Sequence, residues 1–73
     1  MNQLKKYRRA RRLTQLQVAE HFGLSQGAIA HYEDGRRTPD LELCRAIVRF
    51  FSEIGPVCTI DDVFPPAGET EAA

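Results

Sequence analysis

Apolar side chains fall in five short runs, and within each run they recur at helical spacing. In residues 2–12, NQLKKYRRARR, Leu4, Tyr7 and Ala10 take one side and six Lys or Arg take the rest. Two closely spaced runs follow, Leu16, Val18, Ala19 and Phe22, then Leu24, Ile29 and Tyr32. They fit helices over Gln15 to Phe22 and Gln26 to about Asp34, which share one core if they cross steeply, with small Ala19 letting the backbones approach. From about Leu41 to Glu53 a longer helix carries two apolar lines, Leu43, Ile47, Phe50, Ile54 and Leu41, Cys44, Val48, Phe51. Together they cover about 180° of its circumference, against the roughly 100° that suffices for a surface helix. A last turn of helix runs from Ile60 to Phe64.

The polar breaks carry the matching start and stop signals. Thr14 with Gln17 three residues on reads as a capping box, and Leu13 with Val18 as its hydrophobic staple. Ser25 caps the next helix between Leu24 and Ile29, and Thr59 caps the last, with Asp62 at the box position and Cys58 and Val63 as a staple. Gly23 and Gly35 can end helices in a left-handed conformation. Thr38 and Pro39, or Asp40, start the fourth helix, and Gly55–Pro56 breaks the chain after it. Pro65–Pro66 closes a domain over residues 1–66, leaving 67–73, AGETEAA, as an acidic tail expected to be disordered.

The pattern TQxxVAxxFGLSxxxIxxYExG, from Thr14 to Gly35, resembles the Cro/repressor-type helix-turn-helix domains of phage and bacterial regulators, and the likeness extends from about Leu4 to Phe64. The resemblance implies an all-α, compact five-helix bundle with the helix-turn-helix as helices 2 and 3. It also implies that the second motif helix lies in the major groove of DNA. By the same resemblance Arg8 pairs with Glu33 as a structural tie, and Gln15 rests on the DNA backbone at a helix N-terminus.

With 73 residues the chain has room for one domain and a modest core, and no effector-sensing domain is expected. Cys44 and Cys58 lack metal-ligand spacing, and no N-terminal apolar run suggests secretion, so a cytoplasmic protein with reduced thiols is expected. Cys44 reads as a small core residue before it reads as a redox sensor. No stretch is apolar enough to span a membrane. The net charge is zero, but its distribution is uneven. Residues 1–37 hold eight basic and three acidic side chains, a net of +5, and residues 38–73 hold two basic and seven acidic, a net of −5. One half can face a polyanion while the other points away.

The residues expected to face bases are Gln26, Gly27, Ala30 and His31. Gln26 leads, since a carboxamide can both donate to and accept from adenine. His31 is a reader or a phosphate contact, and Gly27 reads little but permits close backbone approach. Phosphate contacts are expected from Gln15, Ser25, Arg36 and Arg37, and from at least two of Lys5, Lys6, Arg9, Arg11 and Arg12, with Arg9 and Arg12 preferred. His21 reads as solvated, and Asp34 is left out because a carboxylate there repels phosphate unless it caps the turn or pairs with Arg36.

The function expected is sequence-specific binding of double-stranded DNA by a small Cro-like repressor, a homodimer on a palindromic operator. An alternative in the same class is an antitoxin or a plasmid or restriction-system controller that also holds a protein partner. From another class, the domain could be a protein-interaction module. No catalytic, metal or cofactor motif appears, so an enzyme ranks last. The second stripe of helix 4 is covered by the last segment or forms a dimer surface through Phe50 and Phe51, with Phe64 nearby.

Overall fold

The computed structural model describes residues 2–65; the tail expected over 67–73 lies outside them. Five helices follow one another, α1 Leu4–Ala10, α2 Gln15–Phe22, α3 Gln26–Asp34, α4 Leu41–Glu53 and α5 Ile60–Val63, with no strand among the described residues. The starts obey their caps. Thr14 and Thr59 each accept from the third backbone N–H of their helix, and Gln17 and Asp62 reach back, so both capping boxes form. Ser25 accepts from Ala28 N–H. The choice left open at α4 falls on Asp40, whose carboxylate accepts from Leu43 N–H at 2.8 Å.

At its C-terminus α1 is shorter than its sequence suggests. Arg12 sits in the left-handed region at φ 58°, and its N–H and that of Leu13 bond back to the carbonyls of Arg9 and Arg8. Gly23–Leu24 and Gly35–Arg36 close α2 and α3 with the same two bonds and a left-handed glycine. So three helices end alike, with an arginine in the glycine place once. Arg12→Gly is therefore expected to raise stability by about 1 kcal/mol, the cost of a side chain in that region, read as a higher urea midpoint at unchanged slope.

The core draws on all five helices. Leu4, Val18, Ala19, Ile29, Ile47, Phe51 and Val63 are wholly buried, with Tyr7, Leu13, Phe22 and Leu24 among those packed around them. Two expectations change here. Leu16 is 50% exposed, not core; at 100° per residue it lies roughly 110° from the direction that Val18, Ala19 and Phe22 share. On α4 the buried stripe is Cys44, Ile47 and Phe51, which takes members from both apolar lines. Phe51 therefore offers nothing to a dimer surface, and Phe50 is half-buried with His21 stacked on it at 3.8 Å. His21, read as merely solvated, thus covers an aromatic face.

Cys44 packs as a core residue. Burial first, and then the Asp40 carboxylate, push its thiol pKa up, and its Sγ donates to Pro39 O at 3.6 Å. Such a thiol stays protonated and unreactive. Among the described residues no helix is long and apolar enough to cross a membrane.

Candidate nucleic-acid interface

The site begins at a buried ion pair. Arg8 on α1 donates through Nε to Glu33 Oε2 at 2.5 Å and through Nη2 to Oε1 at 3.2 Å, and its Nη1 donates to Leu13 O at 2.6 Å. Both residues are buried, and a forked pair of this kind fixes direction as well as distance. It joins the helix before the turn motif to the last turn of α3.

Glu33 also accepts from Gln15 Nε2 at 3.0 Å, and Gln15 Oε1 in turn faces Gln26 Nε2 at 3.4 Å. A chain of polar groups thus runs from the core to the first residue of α3. It orients both carboxamides, since Gln15 gives its nitrogen to Glu33 and leaves its oxygen for Gln26. Around them, Arg9, Arg12, Leu16 and the Gln15–Gln26 pair line one open depression of about 340 Å³. The structure so brings together four residues expected at the site, Arg9, Arg12, Gln15 and Gln26, and adds exposed Leu16. Helix periodicity was the signal that could have placed Leu16 outside.

Gln26 and Gly27 are exposed on the first turn of α3, while Ala30 and His31 are half-buried further along. A Cβ built on Gly27 would meet only Ser25 Oγ, at 3.9 Å, so the fold does not itself require glycine there. Ser25, although its oxygen caps α3, is exposed and keeps its O–H to donate. At the other end, about 13 Å away for nine helical residues, the backbone N–H groups of Arg36 and Arg37 both donate to His31 O, at 2.9 and 3.3 Å. This anchors the loop so that two exposed guanidinium groups flank the helix end, with that of Arg37 5.5 Å from the Tyr32 ring. Asp34 is exposed and Arg36 does not pair with it.

Arg11 leaves the phosphate set. It turns inward, donating to Phe51 O at 2.9 Å, Tyr7 O at 3.1 Å and Pro56 O at 2.7 Å, and it lies over the Tyr7 and Phe51 rings. A guanidinium with three carbonyl partners is a brace between α1 and the loop after α4. A Cβ on Gly55 would lie 3.0 Å from its Nε, so a side chain there would press on this brace.

A family model described as helix-turn-helix matches residues 4–54. An uncharacterized HTH-type transcriptional regulator of Methanocaldococcus jannaschii is 36% identical over 63 residues, covering 86% of this chain and 88% of that protein. No solved structure matches the chain significantly.

Proposed function

The chain belongs to the helix-turn-helix family, and from that premise we propose that it is a transcriptional regulator that binds double-stranded DNA by sequence. The observation that carries the reading is the hydrogen-bonded pair Gln15–Gln26 at the starts of α2 and α3, with Arg9 and Arg12 around the same depression. A carboxamide held at a helix start beside cations suits a base edge flanked by phosphates. Gln26 leads the readout, Gly27 lets the backbone approach, and Ala30 and His31 follow along α3. Gln15, Ser25, Arg9, Arg12, Arg36 and Arg37 take phosphates.

In finer detail the protein is a small Cro-like repressor acting as a homodimer. Its half-sites then lie about 34–36 Å apart on an approximate palindrome. Among the described residues, exposed Leu41, Ile54 and Val57, all remote from the depression that Leu16 lines, offer apolar side chains to a second copy in place of the Phe50–Phe51 pair. The same side chains would serve the partner of an antitoxin or controller, the reading that stands second.

Gln26→Ala tests the assignment. It is expected to weaken binding by about 1–3 kcal/mol and to relax preference at one base pair per half-site, whereas Arg36→Ala weakens all duplexes alike and lowers the salt slope by about one. Titrating a panel of single-base operator variants separates these results. Equal loss on every duplex for Gln26→Ala would remove it from base readout.

A further inference from the structure

Leu16, the second residue of α2, is 50% exposed and stands outside the core. A single exposed leucine is ordinary on a protein surface. This one borders the depression of about 340 Å³ that Arg9, Arg12 and the Gln15–Gln26 pair also line, so charged and amide groups ring an apolar one. The other large apolar side chains exposed among the described residues, Leu41, Ile54 and Val57, line no part of it.

The carboxamides define what Leu16 stands beside. Gln26 gives one Nε2–H to Gln15 Oε1 at 3.4 Å, which leaves its second N–H and its own Oε1 to face N7 and N6 of an adenine. A rounded space of that volume is about 9 Å across, and base pairs stack about 3.4 Å apart, so it spans two or three of them. Leu16 and Gln26 therefore reach the same base pair or adjoining ones. The apolar group that a base edge offers in the major groove is the C5-methyl of thymine, and a thymine stands opposite every adenine. We infer that Leu16 is a specificity-determining residue, packing against a thymine C5-methyl in the pair read by Gln26 or in the pair beside it.

This assignment rests on the DNA-binding reading and adds to it an apolar contact from α2. Sealing the methyl against Leu16 is worth about fourfold in affinity. A cytosine in the same place lacks the methyl and brings an amine that leucine cannot pair, so the contact separates the two pyrimidines. It releases no counterion, so salt leaves this selectivity unchanged while overall affinity falls. Leu16→Ala should fold as the native chain does, with an unchanged urea midpoint, because the side chain is exposed and alanine suits a helix.

The test takes a duplex selected by the native full chain and replaces each thymine in turn with deoxyuridine, which removes only the methyl. The native protein is expected to bind about fourfold more weakly when the thymine at or beside the pair located by Gln26→Ala is replaced, at low and high salt alike. Leu16→Ala should lose about as much on the thymine duplex and should bind its thymine and deoxyuridine forms equally. Leu16→Met, which keeps an apolar end, should restore the difference. A methyl preference that survives in Leu16→Ala overturns the inference. So does a native chain that selects a motif but is indifferent to every methyl, which would place Leu16 on deoxyribose or in solvent. If selection recovers no motif at all, the DNA reading fails and the inference goes with it.

Discussion

Replacing Glu33 with alanine is expected to cost about 3–5 kcal/mol of folding stability, because it leaves the Arg8 guanidinium buried without its carboxylate. Both side chains lie under the surface, at 9% and 2% exposure, so solvent screening does little to reduce the loss. In a domain of this size, with a total of about 5–15 kcal/mol, a large part of the population would unfold near body temperature. Arg8→Met with Glu33→Leu should recover most of the loss, since neither charge is then stranded. That double variant separates fold from function. It keeps the core, yet Gln15 loses the acceptor that orients it and, through it, Gln26. Urea titration should find it near native stability while duplex titration finds it weaker and less selective. Native selectivity in the double variant would mean that the buried pair does not position the reading residue.

The second large effect is at Phe51, where truncation to alanine is expected to cost about 3–5 kcal/mol through the cavity it leaves. Phe51 is wholly buried, against Phe50 on one side and under the Arg11 guanidinium at 5.2 Å. A side chain inside the monomer and one at an interface predict different behaviour. A core residue gives the same loss at two protein concentrations a decade apart. An interface residue gives a loss that depends on concentration, by mass action. Thermal unfolding at both concentrations decides, and a concentration-dependent loss would return Phe51 to the surface.

Where the sequence allows only one local solution, the reading was complete. Thr14 with Gln17, Ser25, and Thr59 with Asp62 each leave a helix one place to begin, and Gly23 and Gly35 leave two helices one place to end. The ion pair followed from the resemblance. What escaped needs either a rare backbone or a contact between distant residues. Nothing marks Arg12 as left-handed, since a glycine is the usual sign of that turn. Among six clustered cations, Arg11 is singled out only by carbonyls 40 and 45 residues away, at Phe51 and Pro56. Similarly, His21 meets Phe50 only once α2 and α4 are packed. The link from Glu33 through Gln15 to Gln26 passes from α3 to α2 and back, although each member could be proposed alone.

On the proposed function, α3 reads sequence from a platform held on phosphates. Selection of duplexes by the full protein from a randomised library, followed by titration of the recovered duplex and a shuffled one at two salt concentrations, tests it most directly. The expected outcome is one recovered motif of two inverted half-sites about one helical turn apart, bound at least about a thousandfold more tightly than the shuffled duplex, with both weakening as salt rises. Recovery of no motif, with equal and salt-insensitive affinities for the two duplexes, would contradict it.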